Sequence, residues 1–168
     1  RVMEERFGSR AILIVTSDHG EAFGEHGTVQ HSKTVYGECL RVPLLIRGHG
    51  IAPRRIDQRV GLVDLGPTIL DLFGVPTPAS FMGQSLVPLL AGRPVAFERP
   101  LFAEARLKRA ILGDVKVIDD VRRQTIEVYD VKNDPGELDN LYGRDPRGDA
   151  ALAALRLFFK DAPALYRP

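Results

Sequence analysis

The sequence predicts an α/β protein: a parallel, helix-flanked sheet within residues 1–95, followed by a small subdomain of antiparallel strands plus a helix over 96–168. Three observations carry this. The apolar run Ala11–Ile12–Leu13–Ile14–Val15 lacks the alternation of a half-buried strand and stops at a carboxylate, an imidazole and a glycine, Asp18–His19–Gly20. A second apolar run, Val42–Pro43–Leu44–Leu45–Ile46, follows a glycine-rich loop and a helical stretch. After about residue 95 the pattern changes to short, partly alternating segments divided by turn residues.

In order, residues 11–17 are expected to form a buried strand. Gly20, Gly24 and Gly27 mark a loop, and Ser32 to Leu40 a short helix capped by Ser32. The second buried strand spans 42–46, with Pro43 near its start, where a missing N–H costs least, and Gly48 and Gly50 ending it. Val63 to Phe73 is the clearest helix: Asp64 is the expected N-cap, Pro67 lies in the first turn, and Gly74 with Pro76 stops it. Gln84 to Ala91 reads as a short helix interrupted by Pro88. Strands are expected at 101–105, 108–112, 115–118 and 126–131, with turns at Gly113–Asp114 and Asp119–Asp120. Asn133–Asp134–Pro135–Gly136 is a turn, and Ala150 to Lys160 is a helix with Leu152, Leu155, Phe158 and Phe159 on one side. Two strands cannot bury a parallel core from both sides. The rest of that sheet is expected from sequence outside this chain, and Arg1 fits a start in mid-protein.

Composition narrows the function classes. The chain has 168 residues, 44% hydrophobic and 27% charged, with a net charge of +1. Nothing in that balance argues for a nucleic-acid or membrane-surface partner. No apolar run approaches the roughly 18 residues of a membrane span, and the first residues lack the apolar centre of a signal peptide. The single cysteine, Cys39, excludes an internal disulfide and reads as a small buried hydrophobe. The compartment is not legible.

The chemistry concentrates at the first strand's carboxyl end, where open parallel sheets bind ligands. Asp18 and His19 together suit a divalent cation: Mn²⁺ or Zn²⁺, or Mg²⁺ or Ca²⁺ where oxygens complete the shell. Two ligands do not make a site, since most metals need at least four; the plain alternative is a strand-end turn capped by Asp18 with His19 on the surface. Three of the four histidines fall between His19 and His31. His31 and Lys33 could point at one anion, holding an oxygen of sulfate or phosphate or protonating a leaving group, or could lie in a solvated loop. Glu21 is a candidate to orient a histidine ring from behind a metal site. His26 is a second such candidate, although within Gly24–Glu25–His26–Gly27 the plainer reading is a hydrogen bond to the loop backbone.

Several stretches together resemble the sulfatase family of the alkaline phosphatase superfamily. They are Thr16 to Glu21, Gly24 to Gly27, His31, Tyr36 to Leu45, Val63 to Leu72, Gly83 to Leu86, and Val128 to Glu137 followed by Asn140–Leu141. The resemblance covers nearly the whole chain in the family's order. It implies the C-terminal part of an alkaline-phosphatase-like α/β sandwich with a small antiparallel subdomain, acting on sulfate esters or on phosphate esters and phosphonates. It implies that Asp18 and His19 are the late pair of metal ligands, and that His31 contacts the transferred group or its leaving oxygen; Lys33 is less securely placed. The family's nucleophile motif, Cys-or-Ser-x-Pro-x-Arg, does not occur here, because Cys39 is followed by Leu40 and Arg41. The early acidic ligands are missing too. The chain is therefore expected to be inactive alone and to need the N-terminal half of the same enzyme as partner, with a small sulfate or phosphate ester as substrate; a homo-oligomer stays open. Sulfatase is the first reading. A phosphodiesterase, phosphonate hydrolase or phosphoethanolamine transferase of the same superfamily is the second, and a non-catalytic module the third.

Overall fold

The computed structural model describes residues 2–8, 11–31, 33–93 and 99–160. The chain divides into two compact units, Arg1–Asp18 with Pro43–Glu98, and His19–Val42 with Arg99–Pro168.

In the first unit a helix the sequence reading did not foresee, α1 (Val2–Phe7), precedes β1 (Ile12–Thr16). β1 pairs with β2 (Leu44–Gly48), Thr16 opposite Leu44 and Ile12 opposite Gly48. This pair is antiparallel, which corrects the expectation that the two apolar runs lie parallel. The intervening chain can turn back directly, so no crossover helix is needed. β2 starts after Pro43, whose missing N–H therefore falls outside the ladder. Nor are the strands buried within this chain: Val15 is 47% and Leu45 60% exposed. Gly48 is required by close approach, because a Cβ there would lie 2.9 Å from the Ile12 side chain.

A 3₁₀ turn (Leu62–Asp64) leads into α3 (Leu65–Leu72). Gly74, at φ 67°, ends α3: its N–H bonds Asp71 and the Val75 N–H reaches back to Leu70. Asp64 stands at the N-cap position of α3, as expected, but its side chain makes no capping hydrogen bond there. It is fully buried, and its carboxylate accepts the N–H groups of Gly61 and Gln84, both at 2.8 Å. The Thr68 hydroxyl donates to the Asp64 carbonyl and accepts the Leu86 N–H. Gly83 sits so close to Val63 that a Cβ would lie 2.0 Å from its carbonyl oxygen. The 63–72 and 83–86 stretches are thus one polar staple that docks α4 (Val87–Leu90) on α3. α4 starts later than the sequence suggests, with Pro88 in its first turn, where its absent N–H is harmless.

The second unit contains α2 (Gly37–Leu40), then β3 (Leu101–Ala105), β4 (Lys108–Leu112), β5 (Lys116–Asp120) and β6 (Thr125–Tyr129), an antiparallel meander in that order. α2 is shorter than expected, because Thr34 to Tyr36 run extended into the core; Ser32, the expected cap, lies outside the described residues. Asp119 and Asp120 belong to β5, and the chain turns at 121–124 instead, with Gln124 at φ 54°. The strand ladder, not turn propensity, decides this: Asp119 and Asp120 pair opposite Arg109 and Lys108, and Lys108 Nζ lies 3.7 Å from Asp120. α5 (Arg147–Lys160) begins three residues before the expected Ala150 and covers one sheet face. Leu155 is fully buried among Ile111, Val115, Val117 and Val128, and the Phe158 ring stacks on Phe102 at 3.8 Å.

Candidate functional site

Asp18 closes the first unit and His19 opens the second. Asp18 is exposed, and the Ser17 hydroxyl donates to its carboxylate at 3.4 Å. The turn beyond it is held against α2. The Gly20 N–H donates to the Cys39 carbonyl at 2.8 Å, and a Cβ on Gly20 would lie 2.0 Å from the Glu38 carbonyl oxygen. Only glycine lets the His19–Glu21 segment lie this close against α2.

The structure brings His19, Glu21 and His31 together. The two imidazoles stack with centroids 4.1 Å apart. His19 Nδ1 lies 2.7 Å from the Gly20 carbonyl oxygen, and His31 Nδ1 lies 3.1 Å from Glu21 Oε2. Both partners are acceptors, so each Nδ1 donates. A ring held in this way is oriented for ligation through Nε2 at His19. His31 remains almost half exposed. The second carboxylate oxygen of Glu21 is buried and has no hydrogen-bond partner among the described residues. Lys33 is placed differently: its Nζ is held at 3.4 Å by Gln30.

His26 joins a second, more buried cluster, and its partners are not its own loop. Nδ1 lies 3.0 Å from Glu38 Oε1 and Nε2 3.1 Å from the Glu137 carbonyl oxygen, while the ring stacks on Tyr36 at 3.8 Å. With an acceptor on each nitrogen, the charged ring, which donates from both, makes both hydrogen bonds. Burial opposes that charge, but the hydrogen bonds to the Glu38 carboxylate and the Glu137 carbonyl outweigh it and hold the imidazole above its ordinary value. The residue adopts φ 49° to reach both partners.

Glu137 is the residue sequence reasoning missed. It is 3% exposed and at φ 54°. Its Oε2 accepts the Gly37 N–H at 2.7 Å and its Oε1 lies 2.5 Å from Lys116 Nζ. Lys116 is itself 1% exposed; burial pushes its ammonium below the usual lysine range, against the pull of Glu137. Removing one partner of such a pair leaves a buried charge, at a cost of about 3–5 kcal/mol. Beside it, Glu127 Oε2 accepts the hydroxyls of Tyr36 at 2.5 Å and Tyr129 at 2.7 Å, and both phenols are pushed upward by burial and that carboxylate. The sequence signals for Glu137 are its place after the Asn133–Asp134–Pro135–Gly136 turn, which by itself reads as a surface acid, and its place at the end of the Val128 to Glu137 stretch of the family resemblance, which assigns it no role. Cys39 is buried, as expected, and burial raises its thiol.

Among the described residues no group of three or more His, Cys, Asp or Glu side chains forms a metal cluster. The donors this chain offers, a carboxylate and an imidazole Nε2, fit a divalent cation as part of a shell that other ligands must complete.

Residues 5–75 match the family model described as Sulfatase. The chain is 30% identical, over a 168-residue alignment, to the Delta 4,5-hexuronate-2-O-sulfatase of Bacteroides thetaiotaomicron, covering 92% of this chain and 35% of that one. A solved structure in complex with its substrate D-glucosamine-2-N,6-O-disulfate superposes with a TM-score of 0.77 at 26% identity, covering 98% of this chain and 38% of that one. The phosphonate monoester hydrolase of Silicibacter pomeroyi also shares the fold, with a TM-score of 0.77 at 23% identity, covering 95% of this chain and 36% of that one. The chain spans about a third of the length of these relatives and corresponds to a C-terminal portion of the family.

Proposed function

Because the chain belongs to the sulfatase family of the alkaline phosphatase superfamily, we propose that it supplies the late half of a metal-dependent sulfate-ester hydrolase site. Asp18 and His19 Nε2 hold a divalent cation together with ligands from the N-terminal half of the enzyme. A cation bound there supplies Lewis-acid stabilisation of charge on the tetrahedral sulfuryl group. His31, with its Nδ1 proton committed to Glu21, directs Nε2 at the equatorial oxygens or the leaving oxygen, and Lys33 adds positive charge from the same loop. Glu21 fixes the His31 ring, and His26 fixes the loop that carries it. Residues 1–95 belong to the catalytic domain and 96–168 to the small C-terminal subdomain. The exposed apolar side chains of β1 and β2, among them Val15 and Leu45, are the surface on which the N-terminal half packs.

The observation that carries this reading is the His19–His31 stack, with Glu21 behind His31, on the segment that directly follows Asp18. Sulfate is preferred over phosphonate because the relative of higher identity is a sulfatase, whereas the phosphonate hydrolase shares only the fold. Sugar sulfates are the first substrates to test, since one relative is a hexuronate-2-O-sulfatase and another is solved with D-glucosamine-2-N,6-O-disulfate as its substrate. In the full-length enzyme, Asp18→Ala is expected to abolish metal-dependent hydrolysis of nitrophenyl sulfate and to weaken metal binding in a calorimetric titration. Near-normal turnover and unchanged metal affinity would refute the assignment.

A further inference from the structure

We propose that Glu137, from the C-terminal subdomain, is a positioning residue for the His19–His31 pair, acting through the N–H of Gly37. This rests on the reading above that those histidines belong to a sulfate-ester site. The connection is short and continuous within the second unit. Glu137 Oε2 takes the first free N–H of α2, at Gly37, and its carbonyl takes the Nε2 proton of His26. The other nitrogen of His26 holds the side chain of Glu38, the next residue of α2. Cys39, the residue after that, accepts the Gly20 N–H, and the Glu38 carbonyl occupies the space a side chain at Gly20 would need. His19 and Glu21 flank Gly20, and Glu21 holds His31. A shift of α2 thus moves both rings.

Several features show that Glu137 is built for this place. It is a non-glycine residue held at positive φ, a conformation that persists only where surroundings impose it. Its charge is buried, and a buried lysine, Lys116, balances it. Tyr36, the residue before Gly37, is fixed from two sides by the His26 ring and the Glu127 carboxylate. The start of α2 therefore has one seat, and Glu137 forms its floor.

The test uses the full-length enzyme and controls for the buried charge. In Glu137→Leu with Lys116→Met the ion pair and the Gly37 acceptor are both gone; in Glu137→Gln with Lys116→Met the pair is gone but an amide oxygen remains for Gly37. Gly37→Pro removes the donor instead, at a helix position where proline is tolerated, and its ring also crowds the Glu137 carboxylate that lies 2.7 Å from that nitrogen. The first reading is spectroscopic: ring proton and nitrogen signals of His19 and His31 at one fixed pH. Both rings are expected to shift in the Leu/Met and Gly37→Pro proteins and to stay near wild type in the Gln/Met protein. The second reading is kinetic: kcat on nitrophenyl sulfate falls about 10-fold or more, in the range a misplaced catalytic group produces, with KM within about 2-fold, and the Gln/Met protein recovers most of it. Wild-type ring signals in a folded Leu/Met or Gly37→Pro protein would overturn the proposal, as would equal shifts in Gln/Met and Leu/Met. If the wild-type enzyme hydrolyses no sulfate ester, the functional reading falls, and the ring signals still decide the role of Glu137.

Discussion

His26 shows how one side chain joins its loop to a segment distant in sequence. Flanked by glycines, it reads as a loop residue bonding nearby backbone, yet its partners, Glu38 and Glu137, lie 12 and 111 residues away in sequence. Because the folded protein holds this ring above its ordinary value near 6.5, the proton is bound more tightly folded than unfolded. The resulting stabilisation is complete below that ordinary value and is lost as pH rises through the higher folded one. As pH rises above about 6.5, the thermal midpoint of wild type should fall more steeply than that of His26→Gln; parallel curves in a scanning-calorimetry series would disprove the linkage. His19, Glu21 and His31 were legible as candidates because a carboxylate, two imidazoles and a glycine crowd the end of an apolar run. Glu137 was not, since burial and a positive φ have no signature in an isolated acidic residue.

At the scale of elements, the sequence reading located nearly every strand and helix and misjudged how two of them pair. An apolar run identifies a strand by propensity, whereas its direction depends on the loop that returns the chain. The same limit applies to Asp64, whose position before a helix matches a cap. Its actual partners are Gly61 and a loop twenty residues on, a contact that only folding creates. Asp64→Ala should leave the Gly61 and Gln84 N–H groups without their charged acceptor and cost about 1–3 kcal/mol in all; urea unfolding that moves by less would show that the staple matters little. For α5 the sequence pattern was sufficient. Leu155 falls on the apolar side and is fully buried. Leu155→Ala should cost about 2–5 kcal/mol by urea denaturation, as large-to-small core changes do, while Leu157→Ala, at a position 71% exposed, should be close to neutral.

For the whole molecule, the two units differ in completeness. The second has its own buried core under α5. The first leaves apolar side chains of both strands in solvent, the pattern of a sheet finished by further polypeptide. The 168-residue chain alone should therefore give no turnover of nitrophenyl sulfate at any divalent metal concentration, and turnover should appear on co-expression with the N-terminal half; activity of the isolated chain would contradict this. The sequence by itself determined the family, the positions of most elements and the candidate histidines, because those properties depend on residue type and spacing along the chain. Tertiary structure alone decided the antiparallel pairing, the partners of Asp64 and His26 and the buried Lys116–Glu137 pair. Those rest on contacts between residues distant in sequence, and a one-dimensional pattern records what each residue prefers but not which distant neighbour satisfies it.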